Sequence, residues 1–234
     1  TGVSASLGST LIHSVTLQRN ARGEVTSRSN TLETDDNWTY LYDDLRRMTS
    51  ANNVNNNLWD ESFTFDEINR ITSNSRLGTY GYGAIGSGKP AYAPQTVGGA
   101  TLNYDANGNM ISDTNKGITG IAYNHLNLPV SVAVNDGGTN SGTVQYVYDA
   151  TGAKLKKTAS GTSNTTTEYA GNHVYENGNL AFFSHPEGYV TPDGQGGYTY
   201  IYQYKDHLGN IRLSYTDDPS NPGSATIIEE SNYY

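Results

Sequence analysis

Gln145-Tyr-Val-Tyr-Asp-Ala-Thr-Gly-Ala-Lys-Leu-Lys-Lys157 sets the reading of every other segment of the chain. Tyr146 and Tyr148 alternate with Gln145 and Val147, which is the period of a strand. Asp149-Ala-Thr-Gly152 supplies a turn, because Asp can hydrogen-bond its own backbone and Gly takes positive φ without steric cost. Ala153–Lys157 resumes as a second short strand, with Leu155 between lysines. Strand, Asp-x-x-Gly turn, strand is one hairpin.

The hairpin recurs, and internal repeats decide a fold before any single residue does. Leu17–Val25 carries the turn with Asn20 for the aspartate and Gly23 in place. Tyr40–Met48 keeps alternating tyrosines and Asp43 but loses the glycine. Phe63–Ile71 has Asp66 and replaces glycine by Asn69, the other residue that tolerates the left-handed region. Leu102–Met110 is close to complete, with Asp105 and Gly108; Ile121–Pro129 follows with Asn124. After Asp149 and Gly152 the last copy is Ile201–Leu213, with Asp206 and Gly209 and its aspartate one place further from the tyrosine. Asn20, Asp43 and Asp66 fall 23 residues apart, and later spacings are less regular. Val174–Leu180 reads as a plain Asn177-Gly178 hairpin.

Two stretches do not repeat. Tyr80–Ala100, rich in Gly and Pro, reads as a surface excursion. Asn135–Gly142 reads as a flexible loop and the best boundary inside the chain, dividing 1–134 from 135–234. The 19 tyrosines and 26 glycines, with Asn runs such as 52–57, point the same way as the repeats: an all-β protein of stacked hairpins. A unit this short cannot bury its own face, so neighbours must supply a continuous core.

Bulk numbers narrow the function. A net charge of −9 leaves nothing to neutralise phosphates, which argues against nucleic acid. With no cysteine there are no disulfides, thiolate nucleophiles or thiolate metal sites. No apolar run approaches the roughly 18 residues of a spanning helix, so no membrane insertion is expected. The chain opens on Thr1 rather than Met and closes at Tyr234 in what reads as mid-sheet. It therefore reads as a piece of something longer or a processed product.

The Tyr-Asp-x-x-Gly unit resembles the YD repeat of the RHS family, which also occurs in teneurins and in the shell components of Tc-type insecticidal toxins. The resemblance covers nearly the whole chain. Ile121–Pro129 and Tyr204–Arg212 are similar to segments that lie just before the RHS-associated core of bacterial members. The resemblance implies a strip of β-hairpins spiralling into a hollow shell, secreted or at a bacterial cell surface. The shell would enclose or display a C-terminal toxin or effector. Expected partners are further repeats of the same parent, the toxin, or secretion machinery. The self-cleaving core of the family has an Asp-Pro-x-Gly setting, whereas here Asp218-Pro219 is followed by Ser-Asn-Pro-Gly. No autoprotease residue is carried over, and 135–234 reads as repeats leading toward a core whose signature is absent.

The repeated carboxylates could pair for acid–base or glycosidase work, but turn aspartates ordinarily serve their own backbone. Asp105-Ala-Asn107-Gly108-Asn109 has the alternating oxygens that open a calcium loop but lacks the later bidentate Glu. His13, His125, His173, His185 and His207 show no metal spacing, and His185-Pro-Glu187 lacks the cysteines a deaminase site needs. Gly86-Ser-Gly88-Lys89 lacks the helix of a phosphate loop. The expectation is no enzyme, no cofactor and no metal. Tyr80, Tyr82 and Tyr92, with Tyr198 and Tyr200, are the candidates for stacking on sugar rings in an alternative reading as an adhesin or glycan-binding module. The competing use of tyrosines is cross-strand pairing, worth roughly 0.2–1 kcal/mol each.

Overall fold

In the computed structural model the described residues are 2–7, 10–32, 34–84, 91–138, 141–162, 164–206, 208–218, 220–221 and 223–231. Among them are 22 strands, two single-turn 3-10 segments and no α-helix. The chain is all-β, built of consecutive antiparallel hairpins, and it divides into two compact units.

The first unit comprises Thr1–Phe65, Asn74–Arg76 and His185–Tyr234. Its earlier part holds β1 (Gly2–Leu7), β2 (Thr10–Arg19), β3 (Val25–Asn30), β4 (Trp38–Tyr42), β5 (Met48–Asn53) and β6 (Glu61–Phe65). Each pairs with the strand before it. Its later part is a second meander of four strands, here numbered in chain order after those of the other unit. These are β19 (Gly188–Pro192), β20 (Tyr198–Lys205), β21 (Ile211–Asp217) and β22 (Ala225–Glu230). Trp38, Tyr40 and Ala51 form a buried cluster backed by Val25, Tyr42 and Met48, while Val190, Ile201 and Leu213 are buried on the later strands.

The second unit comprises Asp66–Ser73 and Leu77–Ser184. After β7 (Ile71–Asn74) it runs as β8 (Gly78–Tyr82), β9 (Pro94–Val97), β10 (Ala100–Tyr104), β11 (Met110–Asp113), β12 (Ile118–Tyr123) and β13 (Pro129–Asn135). It continues through β14 (Ser141–Tyr148), β15 (Lys154–Gly161), β16 (Thr165–Ala170), β17 (His173–Glu176) and β18 (Asn179–His185). From β9 to β18 every strand pairs antiparallel with its predecessor.

Within the Gly/Pro-rich stretch expected to be a surface excursion, Tyr80–Tyr82 and Pro94–Val97 are strand instead, and 85–90 lie outside the described residues. Tyr80 sits opposite Val97 and Gly81 opposite Thr96, and Gly98-Gly99, both at positive φ, turn β9 into β10. Gly81 is there because a Cβ would collide with the Thr96 side chain. Asn135, Ser141 and Gly142, expected to lie in a flexible loop, are strand residues, and Asn135 faces Ser141 where β13 pairs with β14. Asn177 and Gly178, at φ 51° and 84°, make the two-residue turn joining β17 to β18.

Candidate functional site

The repeated turn is the feature around which everything else is placed. Its first residue is position 1, the residue before it position 0, and the strand resumes at position 6. In Asn20, Asp43, Asp66, Asp105, Asn124, Asp149 and Asp206 the position-1 N–H donates to the position-5 carbonyl at 2.9–3.0 Å. The position-4 N–H donates back to the position-1 carbonyl at 3.0–3.2 Å. The side-chain Oδ1 of position 1 then accepts the N–H groups of positions 3 and 5; for Asp149 these are Thr151 at 2.8 Å and Ala153 at 3.0 Å. One carboxylate or amide oxygen therefore satisfies two backbone donors that a three-residue loop leaves unpaired.

Position 4 lies in the left-handed region in every copy. Gly23, Gly108, Gly152 and Gly209 have φ between 84° and 88°, and Arg46, Asn69 and Asn127 have φ of 66°, 67° and 57°. This is a type I turn followed by a left-handed residue, the usual three-residue hairpin loop. An eighth copy was not anticipated: Asp193 Oδ1 accepts from Gln195 and Gly197, with Gly196 at φ 90°. Its Asp-x-x-Gly was readable in the sequence, but Pro192 stands where a tyrosine was expected.

Position 0 carries the second device. Tyr42 donates its hydroxyl to the Val25 carbonyl at 2.9 Å, Tyr123 to Met110 at 2.6 Å and Tyr148 to Pro129 at 3.0 Å. Each acceptor is position 6 of the preceding turn. Tyr104 makes the equivalent bond to Pro94. The ladder is dislocated at each acceptor: Val25, Met110 and Pro129 pair with position 0 of their own hairpins, and the register slips at once between Gln18 and Arg19, Asn103 and Tyr104, and Ala122 and Tyr123. A phenol is the side chain that spans this distance with an apolar ring and still ends in a donor.

Electrostatics favour the ionised turn. For Asp105 the Asn109 amide, and for Asp149 the Thr151 hydroxyl, is the main cause of a lowered carboxyl pKa. For Asp206, burial pushes the carboxyl up, but hydrogen bonds from Asn210, Leu208 and Arg212 outweigh it and bring the pKa down to about 2. Burial likewise opposes the lowering at Asp43 and Asp66, where Arg47 and Arg70 close on the second carboxylate oxygen at 2.6 and 2.7 Å. Desolvation raises the pKa of Tyr42, Tyr82, Tyr104, Tyr123 and Tyr148, which keeps the phenols protonated as donors.

A second set of turn residues, at the other ends of the hairpins, escaped sequence reasoning. Asn30, Asn53, Asn74 and Asp113 are buried, and each accepts backbone N–H groups of the following loop through its side-chain oxygen. In the first unit Asn30 also donates to Asp36, which pairs with the buried Arg28. Desolvation is the main cause lowering the Arg28 pKa to about 10, and Arg212 and Glu230 lie close enough to act on its charge.

The sugar-stacking candidates separate. Tyr92 is 67% exposed, whereas Tyr80 and Tyr82 are half-buried strand residues. Tyr82 has its hydroxyl engaged and the Arg70 guanidinium 4.4 Å from its ring centre. Tyr198 and Tyr200 are more than half exposed on β20. Tyr202 stacks with its cross-strand partner Tyr215 at 5.8 Å. His173 stacks on Phe183, His185 meets Tyr202 edge-on, and His125 is exposed. His207, the His13 side chain and Gly86–Lys89 lie outside the described residues. Asp105 directs both oxygens to its own turn, and among the described residues no group of three or more His, Cys, Asp or Glu could hold a metal ion. No helix among them is long and apolar enough to cross a membrane.

Fold and site together define a repeat protein of consecutive antiparallel hairpins, several of them fastened to the one before by a tyrosine hydroxyl. No protein-family profile matches the chain, and no curated protein matches it. Solved structures that resemble it include TcdB2-TccC3-TEV, at 14% identity and a TM-score of 0.42, covering 100% of this chain and 14% of that one. TcdB2-TccC3 without its hypervariable C-terminal region and TcdB2-TccC3-Cdc42 each give 14% identity and a TM-score of 0.36, with 17% of those chains covered. The chain thus spans about a sixth or less of the solved chains that it resembles.

Proposed function

We propose that this chain is a wall segment of an RHS/YD-repeat shell that encloses or displays a C-terminal toxin or effector, and that its turns hold the wall together rather than catalyse. The observation that carries this reading is the tyrosine bond from position 0 to position 6 of the preceding turn, made three times with the same atoms, at Tyr42, Tyr123 and Tyr148. A side chain used that way is structural, since its reactive group is already spent on backbone. The turn carboxylates are spent likewise on N–H donors, which leaves them poorly placed to exchange protons with a substrate. Further repeats of the same parent are the natural partners, and a secreted or cell-surface setting follows from the same reading.

The test is protease protection of the polypeptide as its own cells make it. Linked cargo should resist digestion in the native state and become digestible when Tyr42, Tyr123 and Tyr148 are together changed to Phe. Cargo digested equally in both forms would overturn enclosure. A retained fold with measurable turnover lost in Asp149→Ala would overturn the non-catalytic part. The exposure of Tyr92, Tyr198 and Tyr200 favours a second reading, glycan binding. Capture on polysaccharide that is lost in Tyr92→Ala would support it.

A further inference from the structure

Position 5 of five successive turns does more than close its own loop. In the first unit Glu24 accepts from the Arg46 Nε at 2.9 Å, and Arg46 is position 4 of the following turn. Arg47 lies with its guanidinium 4.6 Å from the ring centre of Phe65, position 0 of the turn after its own. In the second unit Arg70 lies 4.4 Å from the ring centre of Tyr82, which precedes no Asx turn but makes the same bond to position 6, at Ile71, as the position-0 tyrosines. Asn109 donates at 2.9 Å to Asn127, again position 4 of the next turn. Leu128 presents its Cδ1 to Gly152, where a Cβ would stand only 3.1 Å away. The five contacts share a direction and differ in chemistry: acid with base, cation with ring twice, amide with amide, and an alkyl group against a bare backbone.

We propose that position 5 selects the neighbour: its side chain specifies what the next repeat must present at position 4 or position 0, and so fixes the order of the repeats. The inference deepens the wall reading and rests on it for its purpose, since a wall of near-identical hairpins needs something to stop one pairing in another's place. Position 1 cannot supply that distinction, because Asp and Asn bond their own backbone the same way in every copy. Nor can the tyrosine hydroxyl, which takes a backbone carbonyl that all repeats offer. Mismatches have a physical cost: a glutamate beside Gly152 would meet no donor there, and an arginine at position 4 after Leu128 would meet the leucine.

Two double-mutant cycles test this on the full 234-residue chain, read as unfolding equilibrium constants in urea. Glu24→Arg and Arg46→Glu should each lower the folded fraction, and the double variant should recover most of the loss because the pair is restored with its signs exchanged. Arg47→Gln and Phe65→Leu should show a coupling of about 2- to 5-fold, the size of a cation–π contact at a partly exposed site. Arg47→Gln keeps an amide for Asp43, so the coupling reports the contact with the next repeat and not the arginine's own turn. If the single effects simply multiply in both cycles, position 5 reads nothing and the proposal fails. Because unfolding needs no cargo, loss of protease protection with intact coupling would sink the enclosure reading alone.

Discussion

Asp206 gives up its proton near pH 2 when folded, against about 3.9 for an unperturbed aspartate. A carboxyl whose pKa is lowered by folding adds stability above its unfolded pKa and loses it as pH falls through the folded one. The urea midpoint should therefore fall between about pH 4 and pH 2, and Asp206→Asn should flatten that part of the profile. Position 4 permits a sharper comparison. Gly152 has φ 88°, so Gly152→Ala should cost about 1–2 kcal/mol, read as a lowered urea midpoint. Arg46 occupies the same region and bonds Glu24 and the Arg22 carbonyl in return. An exposed ion pair contributes only about 0–1 kcal/mol, close to the conformational cost that glycine would remove. Arg46→Gly should then shift stability by less than about 1 kcal/mol in either direction, although it deletes two hydrogen bonds.

At the scale of the element, the phenol bond is the contact to cut. Tyr148→Phe keeps the ring and leaves the Pro129 carbonyl without its donor, which should cost about 1 kcal/mol by denaturant titration. The Phe65 repeat manages without a hydroxyl and has the Arg47 guanidinium on its ring instead. Strand packing can be probed at buried Gly188, where a Cβ would collide with the Ile201 carbonyl; Gly188→Ala should destabilise by about 1–3 kcal/mol. Most of this element was legible in the sequence, because alternating tyrosines and Asx-x-x-Gly each have a local cause. The buried Asn30, Asn53, Asn74 and Asp113 were not legible. They fall 8 or 10 residues after the turn residue, depending on strand length, and a lone Asn in a strand carries no signal of burial. Tyr80–Ala100 was misread because Gly81 is required by close strand approach, whereas in sequence it resembles a loop glycine. Position 5 could not be read at all from one repeat, since its meaning lies in the next.

For the molecule as a whole, the buried Arg28–Asp36 pair is the point where one substitution should matter most. Removing one partner of such a pair strands a charge without solvent and costs about 3–5 kcal/mol. Asp36→Leu should therefore unfold the first unit at lower denaturant. Both tryptophans, Trp38 and Trp59, belong to that unit, so tryptophan fluorescence follows it, and amide hydrogen exchange in β8–β18 follows the second. Separate midpoints by the two probes are the expected result.

That first unit is drawn from two distant stretches of chain, with 108 consecutive residues of the other unit, 77–184, between them. Synthesis from the N-terminus would therefore finish the interior piece while the opening strands still waited for β19–β22 to be made. Until those last strands are made, Arg28 would lack Arg212 and Glu230, the neighbours on β21 and β22 that act on its charge.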